Sequence, residues 1–191
     1  MGGFAVKSLD MSTWPDFCAL VERHNGIWGG CWCVGFHPEG ARRAESVAVR
    51  RLMKERRVRE GTTQSALVYD GADCVGWCQF GRTEELTNIK HKRAYQDGLA
   101  ALPDWRITCF FTDKRYRGKG VAAAALEGAL GEIARLGGGT VESYPEDTAG
   151  RSVAGAFLYN AAISIFERQG FARTRRIGKH CWVVAKVVTP G

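Results

Sequence analysis

Hydrophobic and polar positions change period several times along this chain, and each change marks an element. G-F-A-V-K-S-L near the N-terminus alternates and predicts a short strand, after which Ser12, with Pro15 shortly behind it, opens a helix to about residue 24. The run N-G-I-W-G-G-C-W-C-V-G-F-H-P has neither period and is rich in aromatics for a loop. Residues 40–60 place Ala44, Val47, Ala48, Arg51 and Leu52 at helical spacing, which predicts a basic amphipathic helix. S-A-L-V-Y-D and C-V-G-W-C-Q-F flank Gly71, Ala72 and Asp73, a hairpin pattern. Residues 83–104 are polar and irregular, ending at Pro103, and W-R-I-T-C-F-F-T then reads as a buried strand. A helix over residues 121–136 closes at Gly137, Gly138 and Gly139. The strand T-V-E-S-Y-P, a helix over residues 154–169 ending at Gly170, and a hairpin of F-A-R-T-R-R with C-W-V-V-A-K-V-V complete a mixed α/β order without internal repeats.

At 191 residues the chain is expected to be a single domain over residues 1–191, and its 45% hydrophobic content supplies a core without metal or disulfide staples. The N-terminal residues lack a long apolar run, Val6 stands where a myristoylation signal needs Ser or Thr, and no stretch approaches a membrane span. Seven cysteines, mostly inside apolar patterns, read as reduced core thiols of a cytoplasmic protein with no membrane partner.

Charge is unevenly placed: 27 Lys and Arg against 20 Asp and Glu leave +7. Arg42, Arg43, Arg50, Arg51, Lys54, Arg56, Arg57 and Arg59 crowd one segment, Lys114, Arg115, Arg117 and Lys119 a second, and Arg173, Arg175, Arg176 and Lys179 a third. Such clusters favour polyanionic partners, phosphorylated cofactors included; the alternative for the first is a solvated helix face. No nucleic-acid module and no stacking platform accompanies them, so a basic nucleic-acid-binding domain is the weakest reading.

The second cluster carries specific chemistry. In K-R-Y-R-G-K-G-V-A, at 114–122, a strand passes through a glycine-bearing turn into a helix N-terminus, so backbone amides converge with the positive end of the helix dipole. Gly118 and Gly120 permit close approach of a pyrophosphate, and Arg115, Arg117 and Lys119 add charge. Neither G-x-x-x-x-G-K-[ST] nor G-x-G-x-x-G is present.

R-G-K-G-V-A at 117–122 resembles the R/Q-x-x-G-x-G/A pyrophosphate loop of the GNAT superfamily of acyl-CoA-dependent N-acyltransferases. About forty residues on, A-I-S-I-F-E-R-Q-G-F at 162–171 resembles that family's second signature. The resemblance covers roughly residues 65–188, and the N-terminal third only in element order. It implies a single mixed central sheet with helices on both faces and splayed fourth and fifth strands. It further implies that the backbone of Phe110, Phe111 and Thr112 pairs with the pantetheine of acetyl-CoA, and that amides of Arg117, Gly118, Lys119, Gly120, Val121 and Ala122 take the pyrophosphate. Tyr159 stands where family members often carry a CoA-contacting asparagine, with Asn160 shifted by one, and Phe166 where many carry the tyrosine that protonates the CoA thiolate. Phenylalanine has no proton to give. On the helix expected over residues 154–169, Tyr159 lies about 10 Å from Phe166 along the axis and cannot simply replace that tyrosine; Tyr144, Cys109 or water remain.

Glu142 is the base suggested by position, since Thr140, Glu142 and Tyr144 share one face of the fifth strand; a structural carboxylate is the alternative. The resemblance also implies that residues 25–60 build the acceptor site, with Trp28, Trp32, Phe36 and His37 as an aromatic wall or, equally, a small core under the loop. Cys31, Cys33 and His37 lack a fourth ligand at usable spacing, so no metal is expected. Apolar neighbours make Cys109 an inert thiol rather than an acyl carrier. The expected activity is acetyl transfer from acetyl-CoA to a primary amine, of a small molecule or else of a peptide or protein, with a non-catalytic acyl-CoA-binding regulatory module as the alternative and a homodimer left open.

Overall fold

The computed structural model describes residues 3–41 and 46–191; Met1, Gly2 and, from the first basic cluster, Arg42, Arg43, Ala44 and Glu45 lie outside them. Seven strands form one sheet in the order β1-β2-β3-β4-β5-β7-β6. They are β1 (Ala5–Ser8), β2 (Gln64–Asp70), β3 (Asp73–Arg82), β4 (Trp105–Thr112), β5 (Gly139–Ser143), β6 (Ala172–Arg176) and β7 (Trp182–Val188). Every neighbouring pair is antiparallel except β4 and β5. The helices are α1 (Trp14–Arg23), α2 (Val47–Arg59), α3 (Lys92–Asp97), α4 (Val121–Arg135) and α5 (Ile163–Arg168).

Strand alternation sorts the core into two faces. Ala66 and Val68 of β2 point into a cluster closed by α4 and α5 through Val121, Leu126, Ile133 and Phe166. Leu67 and Tyr69 point the other way, into a cluster with Phe17, Leu20 and Val21 of α1 and with Trp32 and Cys33 of the following loop. A third cluster, Tyr95, Tyr144, Ile177, Cys181 and Val183, seats α3.

Three elements depart from the sequence pattern. Helix α2 begins at Val47, where the Ser46 hydroxyl caps the Val49 amide at 3.2 Å, and its inward face carries Lys54 and Val58 while Leu52 stands out in solvent. The polar stretch 83–104 contains α3, anchored by buried Tyr95 and by Arg175, which donates to the carbonyls of Ala94 and Tyr95. The long helix expected over residues 154–169 is reduced to a single 3-10 turn, Gly155–Phe157, and the six residues of α5. Between them Ala161 adopts φ +61°, and the backbone bonds outward: Glu146 N to Ala161 O (3.2 Å) and Ile163 N to Glu146 O (2.9 Å). Those tertiary bonds replace helical ones.

Strands β4 and β5 pair at only three positions, Trp105 with Val141, Arg106 with Glu142 and Ile107 with Ser143. Beyond them β4 runs on to Thr112, while the chain after β5 turns toward β7, where Glu146 bridges Cys181. The sheet therefore opens between the two strands, at the end of β4 that feeds the glycine turn. Among the described residues no helix is long and apolar enough to cross a membrane.

Candidate functional site

The turn after β4 is built around Asp113. Its buried carboxylate accepts the Arg115 amide at 2.9 Å and the Arg115 guanidinium at 2.8 Å, and lies 3.3 Å from Arg23. The Arg115 guanidinium in particular holds this carboxyl well below the usual carboxylate range. Arg115 is thus committed to shaping the turn. A 3-10 turn, Lys114–Tyr116, follows, and then Gly118 at φ +75° and Gly120 at φ +89° lead into α4. A Cβ on either glycine would meet nothing within 4 Å, so the left-handed backbone, not crowding, is what calls for glycine there. The bond from Ala124 N to Gly120 O opens the ladder of α4, and the amides of residues 120–123 precede it without an intrahelical acceptor.

A cleft of about 380 Å³ runs from this helix end along the free edge of β4, lined among others by Phe110, Thr112, Arg117, Ala122, Leu158 and Ile165. Backbone groups of alternate residues face the same side of a strand, so Phe110 and Thr112 turn theirs toward the opening, while Phe111 turns toward β3, where it is paired with Trp77. The Phe110 amide donates to the Tyr159 carbonyl at 2.7 Å. A helix N-terminus with unpaired amides, a glycine turn and an apolar channel along a strand edge suit a long ligand with an anionic head and a thin arm.

No protein-family model matches the sequence, and no curated protein matches it. Solved structures do match in fold. A protein from Desulfovibrio desulfuricans assigned to the GNAT acetyltransferases superposes with a TM-score of 0.56 at 14% identity, over 98% of this chain and 100% of that one. A protein from Salmonella typhimurium described as an acetyltransferase, solved with its cofactor acetyl-CoA, gives 0.55 at 14% identity over 98% and 95%. The ribosomal-protein-S18-alanine N-acetyltransferase of Escherichia coli gives 0.50 at 12% identity over 99% and 96%. The chain has the GNAT fold.

Within this GNAT fold the residues singled out by sequence separate into those at the opening and those away from it. Arg117, Ala122, Phe110, Phe111, Thr112 and Trp28 line the cleft, with Gly118, Lys119, Gly120 and Val121 at its helix end. Phe166, expected beside the cofactor, is instead fully enclosed, its ring packed edge-on against Phe110 (5.7 Å) and Phe171 (5.2 Å). Asn160 is buried as well: Nδ2 donates to the Tyr144 carbonyl at 3.1 Å and Oδ1 has no partner. Tyr159 is not on a helix. It lies in the segment crossing the opening, its ring 6.2 Å from Trp28, 6.0 Å from Phe36 and 5.9 Å from the Lys90 ammonium, and burial pushes its phenol above the ordinary range.

The expected aromatic wall is split by the same logic. Trp28 and Phe36 meet Tyr159 at the opening, whereas Trp32 packs into the core beside Trp14 and Phe17. His37 is wholly buried. Its ring is held by the Glu85 carbonyl (2.8 Å), Thr63 Oγ1 (3.2 Å) and Gln79 Nε2 (3.0 Å), and burial, then the Lys54 charge, pushes its pKa down to about 3, so it stays neutral.

Glu142 and Tyr144 do not reach the cleft. Glu142 sits opposite Arg106, where β4 and β5 are still paired, and its carboxylate accepts the Tyr95 hydroxyl at 2.7 Å and the Tyr144 hydroxyl at 3.4 Å. Tyr144 has no exposed surface, and burial raises its phenol well above its usual pKa. Both belong to the network that seats α3. Sequence reasoning missed Lys90 and Glu146, an ion pair beside Tyr159 supplied by two irregular segments that no periodicity marks. Among the described residues of the first basic cluster, Arg57 grips Glu39 with two bonds (2.5 and 2.7 Å), Arg59 meets Glu55 (3.1 Å), and Lys54 is buried.

Proposed function

We propose that this protein is an acetyl-CoA-dependent N-acetyltransferase that acts on a primary amine by direct attack in a ternary complex. The observation that carries the reading is the continuity of the α4 N-terminus, the left-handed Gly120 and the cleft along Phe110 and Thr112, which ends where β4 and β5 part. The residues present fit acetyl-CoA: amides 120–123 and Arg117 would hold its pyrophosphate, and Leu158, Ala161, Ala162 and Ile165 would enclose its arm. Bound there, it supplies an activated acyl group as a thioester. The outward amide of Thr112 is open to the arm, while that of Phe110 is reached by displacing the Tyr159 carbonyl. Catalysis then rests mainly on holding two reactants at the opening.

Tyr159 is the proton donor we assign to the departing thiolate. Its main chain sits on the splayed edge at Phe110, whereas the other four tyrosines point elsewhere: Tyr69 to Asp16, Tyr116 to Asp70, and Tyr95 and Tyr144 to Glu142. Trp28 and Phe36 form the apolar side of the acceptor site, and the Lys90–Glu146 ion pair its polar side. A small-molecule amine suits an opening of this size; a peptide N-terminus is the variant suggested by the Escherichia coli neighbour. Seven free cysteines fit a reducing cytoplasm. The bond closing Phe110 to Tyr159 is the one feature that favours a second reading, a module that binds acyl-CoA without turnover. Release of CoA from acetyl-CoA, measured with a panel of small amines and of peptides with free N-termini, decides between them. Turnover with any amine supports the enzyme; tight acetyl-CoA binding with no turnover across the panel supports the module.

A further inference from the structure

Beneath the aromatic loop lie two cysteines that are not among the residues lining the cleft and that the proposed reaction does not use. The sulfurs of Cys33 and Cys109 are 3.0 Å apart, inside ordinary sulfur contact distance, although 76 positions separate them in sequence. Each residue is 2% exposed. The loop is bent where Cys33 meets Cys109: Trp32 and Cys33 have φ +50° and +53°, left-handed values that strain an L-residue. Two further contacts fix the Cys33 end: the Trp77 indole N–H donates to its sulfur at 3.2 Å and Gln79 Nε2 donates to its carbonyl at 3.0 Å. Cys109 is held on β4.

Lys54 completes the group. It is fully buried, its ammonium donates to Thr63 Oγ1 at 2.7 Å, and no carboxylate of the described residues lies within salt-bridge distance of it. Burial pushes its pKa down to about 8, which leaves it charged near neutrality, and the nearby thiols oppose that fall. A buried cation needs a counter-charge. Burial works against a thiolate at Cys33, but the Cys109 S–H, the Lys54 charge and the Trp77 N–H together hold its thiol below the ordinary range, and the shared hydrogen bond raises Cys109 well above it.

We infer that Cys33, Cys109 and Lys54 form a peroxide-reactive dithiol site that closes reversibly to a Cys33–Cys109 disulfide. The Cys33 thiolate attacks one oxygen of hydrogen peroxide, the O–O bond breaks, and Cys33 becomes a sulfenic acid while hydroxide leaves and takes the Cys109 proton as water. The Cys109 thiolate then attacks the Cys33 sulfur, forms the S–S bond and expels a second hydroxide. That hydroxide is protonated by the Lys54 ammonium, which has lost its counter-charge. Two thiol sulfurs give up two electrons and one peroxide becomes two waters. The closure asks little of the fold, since a disulfide spans about 2.05 Å and the sulfurs need to approach by about 1 Å.

The test is disulfide mapping on the whole protein. Reduced, desalted protein is treated with equimolar hydrogen peroxide, alkylated, digested without reductant and analysed by mass spectrometry. The expected product is a peptide pair joined through Cys33 and Cys109, lighter by two hydrogens and separated by dithiothreitol. In Cys109→Ala the same treatment should leave a sulfenic acid on Cys33 that dimedone captures, and Lys54→Met should slow the reaction by about tenfold or more. Should the variants fail to fold, wild-type mapping decides alone. A link from Cys33 to Cys31, or oxidation of Cys33 and Cys109 no faster than that of buried Cys78, overturns the inference, as does irreversible oxidation without a link.

Discussion

The backbone amide of Phe110 donates to the carbonyl of Tyr159 at 2.7 Å across the opening between β4 and β5. Residue 159 is held there from both sides, because its ring also lies between Trp28 and Phe36. One residue thus joins the free edge of β4 to the aromatic pair Trp28 and Phe36. A main-chain bond of this kind contributes roughly 1 kcal/mol net, so a ligand arm that makes equivalent bonds to β4 can replace it.

Tyr159→Phe keeps the ring packing and the main-chain bond and removes only the hydroxyl. Acetyl-CoA binding should be unchanged while kcat falls by roughly 10²-fold or more, the range for loss of a general acid. Calorimetry with acetyl-CoA and steady-state kinetics on the same preparation check both halves. A normal kcat would pass the proton to water.

Gly120→Glu places a carboxylate and a Cβ at a φ of +89° on the amides that would hold the pyrophosphate. The rise in Tm on adding acetyl-CoA, which follows mass action in the wild type, should vanish. Gly131→Glu is the control: Gly131 lies on the same helix with nothing within 4 Å of a built Cβ, and that variant should keep the full rise. Equal responses from both variants would move the anion site elsewhere.

Strands and the glycine turn before α4 are legible in the sequence because their signals are local: period-two alternation for β2 and β3, and glycines placed where the backbone must turn left-handed. Helix α5 was overestimated because the residues before it spend their hydrogen bonds on Phe110 and Glu146, partners far away in sequence. For the same reason Tyr159 could not be placed at the opening by counting helical turns from Phe166. In the sequence Lys54 stands between Arg51 and Arg56 on what reads as a solvated helix face. Only the packing of α2 over Phe17 and Thr63 shows that it faces inward.

Acid should weaken the fold in a window set by His37. The unfolded chain takes up this proton near pH 6.5 and the folded protein only near 3, because burial and the Lys54 charge disfavour the imidazolium. Between those values the unfolded state holds the extra proton, so His37 makes stability fall with falling pH by up to about 1.4 kcal/mol per pH unit. Glu39, whose pKa the Arg57 guanidinium lowers from 4.5 to about 2, adds a second decline below pH 4.5. Urea denaturation of wild type and His37→Gln at several pH values should differ in slope between pH 4.5 and 6.5, the variant being flatter. Parallel curves would mean that His37 ionises within the fold.

Glu142 separates a catalytic from an architectural carboxylate. Its oxygen accepts the Tyr95 hydroxyl at 2.7 Å, Tyr95 takes a 3.5 Å contact from Arg106, and the ring of Arg106's neighbour in that network, Tyr144, stands edge-on to Tyr95 at 5.5 Å. Glu142→Gln keeps the shape but exchanges a charged acceptor for a neutral one in a half-buried network that contains a buried guanidinium, at a cost of roughly 1–3 kcal/mol in stability. A lost general base would instead leave stability nearly unchanged and lower kcat by 10² to 10⁴-fold, with recovery at high pH as more of the amine becomes neutral. The expected result is therefore a lowered urea midpoint with kcat within about threefold of wild type at every pH. A large, alkali-rescued loss of kcat at unchanged stability would return Glu142 to the reaction and require α3 to move aside when the amine binds.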